Sequence, residues 1–421
     1  MIHESFPRYT DFDPRAPVWC VTPNRSGCIH RFFDTSPISP SGRYLAVFQL
    51  PFEDRQPVPG ETGNIVVVDL ETGEDRVVAE TCGWEPQMGA NINWGASDHE
   101  LFFNDVEPAT WRPFAWKLDP QTGKRQRMEG TVYHVSVDGR WLISANMTTM
   151  RKTQPGYGVR VPDESARRNV GPADDDGFYL TDTATGKRRL LVSIAEMFER
   201  ADPAIRLEDP NRFEIYGFHS KFSLQGDRLM LSVRWFPAKD HPQWDLFKND
   251  HGAVSMAWIT ADLVGGPLYC SVGPEEWVKG GHHANWFPDG KRISMNLKID
   301  KECLRFVEVD AEGTNLRKMH DGVTGSGHPT VHPGGKHILT DTYTWEETAF
   351  GDGTVPLRWV DLETGEEELI VRINTKQPCE DPVLRVDPHP AWDPTWRYVT
   401  FNGFVGGTRR VFVVDMKNLA P

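Results

Sequence analysis

The phrase Val-Asp-Leu-Glu-Thr-Gly-Glu stands twice in the chain, at 68–74 and again at 360–366. A heptapeptide recurring far along one sequence signals an array of similar structural units, and weaker copies follow at 118–123, 181–186, 309–313 and 414–416. Each copy closes an apolar run with an Asp/Gly turn. A second phrase, a Pro-Asp-Gly-like turn feeding another apolar run, appears at Ser39-Pro40-Ser41-Gly42, Val137-Asp138-Gly139, Leu224-Gln225-Gly226, Pro288-Asp289-Gly290 and Pro333-Gly334-Gly335. The two phrases alternate. Paired, they mark seven units beginning near Thr35, Asn91, Val132, His219, His283, His328 and His389, each with room for four short strands. The expectation is an all-β fold, one seven-bladed β-propeller domain spanning residues 1–421. The last unit is one strand short, and the unassigned run at 17–22 is predicted to complete it, removing an exposed sheet edge. One short helix is predicted, over 193–200.

Composition agrees with many turns and short strands: the 421 residues include 37 Gly, 32 Pro, 15 Trp and 22 Phe. A formal net charge of −14 excludes a nucleic-acid partner, which would need a basic stripe to neutralise phosphates. No run of about 18 apolar residues exists, so no membrane partner is expected. The first residues show no basic segment followed by an apolar one, and a cytoplasmic protein is expected. Six cysteines without a Cys-x-x-Cys pair read as free thiols. The oligomeric state is not legible.

Chemistry enters at the first strand of each unit. Five residues before the turn of each unit stand Thr35, Asn91, Val132, His219, His283, His328 and His389, so four consecutive blades carry histidine at one repeat position. In a propeller the first strand of each blade lines the axis, which makes equivalent positions neighbours in one layer. Three or four imidazoles converging there suit a divalent transition metal such as Mn²⁺ or Zn²⁺. Asp387, two residues before His389, adds a carboxylate, giving a candidate metal set of His283, His328, Asp387 and His389. The competing reading has each histidine hydrogen-bonded within its own blade; their absence from the first three units speaks against it.

Because strands alternate in direction, the loops between second and third strands gather on the histidine face. The loop at 150–171 holds Arg151, Lys152, Arg160, Arg167 and Arg168 with Tyr157, a basic island in an acidic protein. The loop at 236–252 carries Lys239, His241, Trp244 and Lys248, and Arg234 stands at the end of the strand feeding it. Long loops in compact domains often carry function. Aromatic rings with Arg and Lys suit an acidic oligosaccharide or polysaccharide, the ring stacking on the sugar and the cations meeting its carboxylate or sulfate.

Gly281-His282-His283-Ala284-Asn285-Trp286, Gly327-His328-Pro329-Thr330-Val331 and Asp387-Pro388-His389-Pro390-Ala391-Trp392 resemble the metal-site phrases of propeller polysaccharide lyases, above all the oligogalacturonate lyases. The resemblance implies His328 and His389 as metal ligands, with His283 at the sugar or the metal. The family's His-Pro-His-Pro is Asp387-Pro388-His389-Pro390 here, and its glutamine ligand falls on Leu384. Its arginine base on the third strand of blade four falls near Ser255-Met256-Ala257-Trp258, which holds no arginine. A looser similarity links Tyr157, Arg168 and His134 to the Tyr, Arg and His set of ulvan lyases.

The expected reaction is β-elimination from a uronate: a cation neutralises the carboxylate, a base takes the C5 proton and an acid assists the departing O4. His219 and Arg234 are placed nearest the reacting carbon, Tyr157 as the acid, and Arg151, Lys152, Arg168, His134 and Trp244 as substrate contacts. The alternative is a non-catalytic TolB-like propeller that binds a carbohydrate or protein and keeps a structural metal. A metal-dependent hydrolase on the same scaffold is a third reading.

Overall fold

The computed structural model describes residues 2–239, 254–300, 302–377 and 379–420. Seven four-stranded antiparallel sheets form the blades of a propeller. Their innermost strands are Cys28–Ile29, Asn93–Trp94, His134–Val135, Phe213–Phe222, Gly281–Trp286, Thr330–Val331 and Ala391–Trp392. The seventh sheet draws its outermost strand from the other end of the chain: Val18–Cys20 pairs antiparallel with Thr408–Asp415, Trp19 opposite Val413.

The repeated phrases fold as repeated turns. In the turns at 69–73, 119–123, 182–186 and 361–365, the glycine N–H donates to the aspartate carbonyl at 2.8–2.9 Å, and the aspartate carboxylate accepts from the N–H groups two and three residues on. The φ values of these glycines, between 74 and 79°, lie in the left-handed region that a side chain disfavours. These turns join third to fourth strands; the other phrase joins first to second strands. Both therefore lie on one face, which leaves the opposite face to the longer connections.

Each sheet is buried on both sides, so its strands read as continuous apolar runs. Along Gly63–Asp69, Ile65 and Val67 pack with Ile92 and Leu101 of blade two, while Val66 and Val68 pack with Val411 and Val413 of blade seven. Alternation of side chains thus sends successive residues of one strand into two inter-blade cores, each buried valine stabilising by roughly 1.5–3 kcal/mol.

The predicted helix forms as Ile194–Arg200, capped by Ser193 and Glu196 in a reciprocal capping box. Two four-residue helices, Met150–Thr153 and Pro274–Trp277, are too short to show in periodicity. All six cysteines are free. Among the described residues no helix is long and apolar enough to cross a membrane.

The first blade is interrupted at its inner edge. Its innermost strand is Cys28–Ile29 and the chain rejoins the sheet at an Ile38–Leu45 bridge. Thr35 keeps the repeat position, three residues before Ile38 as His389 stands three before Trp392; the segment ahead of it leaves the sheet and also projects Phe32 among the histidines.

Candidate metal centre and adjoining cleft

His219 and His283 are aimed by irregularities within their strands, and His328 and His389 by the backbone just before theirs. Pairing of Phe213–Phe222 slips register between Gly217 and Ser220, and that of Gly281–Trp286 slips between His282 and Asn285. His283 and His389 have φ of 59 and 50°, and Gly327 before His328 has 46°. A bulge re-aims a side chain, and a left-handed non-glycine residue is held against a cost of order 1–2 kcal/mol. The glycine at 327 is required for a different reason: a Cβ there would sit 2.1 Å from a carboxylate oxygen of Asp341.

His328 and His389 are 0 % and 1 % exposed, with ring centroids 4.4 Å apart. The His328 Nδ1 donates to Asp341 at 2.8 Å, which fixes the ring tautomer and turns Nε2 toward the cluster. The backbone N–H groups of His328 and His389 donate to the same carboxylate at 2.7 and 3.0 Å. Neither ring nitrogen of His389 has a hydrogen-bond partner among the described residues. Asp387 lies with its Oδ2 3.7 Å from His389 Nε2 and accepts from Arg385 Nε at 2.8 Å. Ligand atoms of His328, Asp387 and His389 all lie within 4.8 Å of one another. Three converging buried donors, one with both nitrogens orphaned and one backed by a carboxylate, fit a divalent cation.

His283 adjoins this group. Its ring centroid is 3.9 Å from that of His328, but its Nδ1 is engaged by the Gly327 carbonyl at 2.8 Å and by His282 Nδ1 at 2.7 Å. Its Nε2 faces the Tyr343 hydroxyl at 3.3 Å, and that hydroxyl is also 3.4 Å from His328 Nε2. Burial first, then the neighbouring imidazoles, holds His283 and His389 well below the usual histidine range, so both are neutral bases. Phe32, fully buried, floors the layer, its ring 4.7 Å from His389, 5.5 Å from His328, 5.6 Å from His219 and 6.0 Å from His283.

A cleft of about 330 Å³ opens beside the cluster, lined by Tyr157, His219, Arg234 and His283 together with Gln154, Met256, Tyr343 and Arg385. His219 is pushed far down by burial and then by Lys221 and Arg234, and its Nε2 has no partner among the described residues. Burial raises Tyr157 to about 12 and lowers Arg234 to about 10. The Arg234 guanidinium lies 3.6 Å from the Phe218 ring centre and donates to Gln154 at 2.6 Å. Arg234 is paired directly across the sheet with Met256. The cleft therefore has an arginine one strand away from 255–258.

The remaining predicted contacts are placed elsewhere. Arg151 pairs with Asp163 and lines a separate cavity of about 210 Å³ with Arg160. Lys152 holds its ammonium 5.9 Å from the Tyr216 ring. Arg168 pairs with Glu214 at 2.7 Å, and His134 accepts the Phe222 N–H at 3.0 Å. Tyr157, Arg168 and His134 are thus engaged in three different surroundings. Trp244, with His241 and Lys248, lies outside the described residues.

Sequence reasoning missed Asp341, Tyr343, Arg385 and His30. The first two stand in the loop after the second strand of blade six, and Arg385 in the connection between blades six and seven. His30, lowered to about 4 by burial, sets its Nε2 3.3 Å from the Pro388 carbonyl. Only Arg385, two residues from a suspected ligand, had a local signal. The burial of Arg385 lowers its pKa, yet Asp387 and the Tyr157 and Tyr343 hydroxyls outweigh it and raise the pKa above the usual arginine range.

Fold and centre together define the class: a seven-bladed propeller with a buried histidine-carboxylate cluster at one mouth of its channel. Among solved structures the chain is similar to an oligogalacturonate lyase in complex with manganese, at a TM-score of 0.63 and 16 % identity, covering 99 % of this chain and 97 % of that one. It is also similar to the oligogalacturonate lyase of Vibrio parahaemolyticus, at 0.64 and 14 % identity, with 99 % and 98 % covered. At such identities the likeness shows the fold. No protein-family model matches the chain, and no curated protein matches it either.

Proposed function

We propose that the protein is a metal-dependent lyase that cleaves a uronate-containing oligosaccharide by β-elimination. The observation that carries this reading is His389, buried with both ring nitrogens unpartnered and within ligand distance of Asp387 and His328, beside a cleft lined by two arginines. The presence of manganese in one structurally similar lyase and the acidic oligosaccharide in both names accord with it.

His328, His389 and Asp387 would hold the cation, with His283 at its border. When bound, the metal supplies positive charge against the substrate carboxylate, which acidifies the neighbouring carbon acid. Arg234 and Arg385 orient that carboxylate from the cleft walls. His219, held neutral by burial, takes the C5 proton; the electron pair of that C–H bond forms the C4–C5 double bond as the C4–O4 bond breaks, and Tyr157, protonated at neutral pH, donates to the departing oxygen. Arg151, Lys152, Arg168, His134 and Trp244 remain candidate contacts for the more distant parts of a longer chain.

The test is incubation of metal-loaded protein with pectic, ulvan and alginate oligosaccharides, following the ultraviolet absorbance of an unsaturated uronate. Absorbance that appears with wild type and is lost in His219→Ala supports the reading; silence on all three overturns it. A second reading, a non-catalytic glycan-binding propeller with a structural metal, is favoured by the bond from Arg385 to Asp387, which occupies part of the one carboxylate ligand. Saturable glycan binding with no absorbance change would select it.

A further inference from the structure

A second cavity, of about 440 Å³, adjoins the cleft of the histidine face, and Tyr343, Trp345 and Arg385 line both. Trp345 is 68 % exposed, the most exposed tryptophan among the described residues. It is not loose. Its ring stacks on Tyr343 with centroids 4.5 Å apart and planes 9° from parallel, and the Tyr343 hydroxyl reaches the nitrogens of His283 and His328. One face of the indole is thus fixed by the metal-side tyrosine, which leaves the other to whatever enters from the second cavity.

The charge of that cavity is also uneven. Of its acidic side chains, Asp352 pairs with Arg372, and Asp387 with Arg385. Lys376, exposed on the same wall, has no carboxylate partner among the described residues. An aromatic plate and an uncompensated ammonium beside a cleft that ends at the candidate metal centre match a pyranose ring bearing its own carboxylate. Each cavity falls within or near the size of a small-ligand cleft.

We infer that the cavity behind Trp345 is a second sugar subsite, in which a neighbouring uronate unit of the same oligosaccharide stacks on Trp345 and directs its carboxylate to Lys376. This rests on the proposed acidic-oligosaccharide substrate and adds to it where the neighbouring unit lies and which side chains hold it. Trp345 and Lys376 hold the substrate without touching the reacting atoms, so their contribution is to affinity and chain-length preference.

Calorimetric titration with a uronate monosaccharide and the corresponding disaccharide tests this, using the metal-loaded full chain in a His219→Ala background to suppress turnover. The disaccharide is expected to bind at least roughly tenfold more tightly than the monosaccharide. Adding Trp345→Ala should remove most of that advantage, lowering disaccharide affinity by a larger factor than monosaccharide affinity, while an unchanged urea unfolding midpoint reports an intact fold. Lys376→Met should weaken the diuronate but not a disaccharide whose second unit is neutral. If Trp345→Ala and Lys376→Met leave the chain-length advantage intact, the subsite is overturned while the uronate reading stands. If neither sugar binds even wild type, the uronate reading itself fails, and the subsite with it.

Discussion

Asp341 accepts the Nδ1–H of His328 at 2.8 Å, with both side chains 1 % exposed. The same carboxylate takes the backbone N–H of His389, so one acid orients two candidate ligands. Replacing it with asparagine keeps the volume but removes the charged acceptor that orients the imidazole and fixes its tautomer. Asp341→Asn is expected to weaken metal affinity about 10- to 100-fold with little change in secondary structure. Competition against a chromophoric chelator measures it, and an unchanged affinity would show that the acid serves folding alone.

Arg385 and a cation bound at the candidate centre would compete for Asp387. Arg385→Gln therefore gives opposite effects on two ligands. Metal binding should strengthen, because the carboxylate is released from its 2.8 Å partner. Uronate binding should fall by about tenfold or more, since a charge-assisted hydrogen bond contributes roughly 1.5–3 kcal/mol. Metal-induced shifts in melting temperature and sugar titrations separate the two; a parallel loss of both would place Arg385 in the structural framework.

The architecture was legible because its signal is periodic. Turns such as Asp69–Gly73 and Asp361–Gly365 need an aspartate acceptor and a left-handed glycine, and those needs write themselves into adjacent residues. His328 and His389 were legible for the same reason, as they recur at one position of the repeat. Asp341, Tyr343, Trp345 and Arg385 were not: they stand in connections that obey no period, and only the closed ring brings them together. Phe32 carried no such signal, because it stands in a segment that leaves its sheet, where counting from a turn places nothing.

Beneath Phe32 lies a buried ionic group. Asp34 bridges Lys221 at 2.9 Å and Arg31 at 2.5 Å, with all three side chains no more than 2 % exposed. The two cations hold Asp34 far below the usual carboxylate range against the opposing effect of burial. The group holds two cations to one carboxylate, so removing the carboxylate leaves uncompensated charge in the channel, and Asp34→Asn is expected to destabilise the protein by about 3–5 kcal/mol. Adding Lys221→Met should return part of that loss. Urea unfolding of the single and double variants measures the coupling, and additive effects would contradict it.

Glu85 anchors the loop that carries Tyr157 by accepting the Gly158 N–H, while its other oxygen has no partner among the described residues. Burial raises it from 4.5 to about 8, opposed by the Gly158 bond and by Arg31. Below pH 4.5 the acid is protonated whether the chain is folded or not, and its contribution to stability is fully present. As pH rises toward 8, the unfolded chain releases the proton while the folded protein keeps it, so stability declines, by about 1.4 kcal/mol per pH unit at most. Glu85→Gln cannot ionise. Its stability should match wild type near pH 4.5 and exceed it increasingly up to about pH 8, above which the gap stays constant because Glu85 then ionises in both states. Denaturant midpoints at several pH values test this, and parallel curves for the two proteins would show that Glu85 is charged in the folded state throughout.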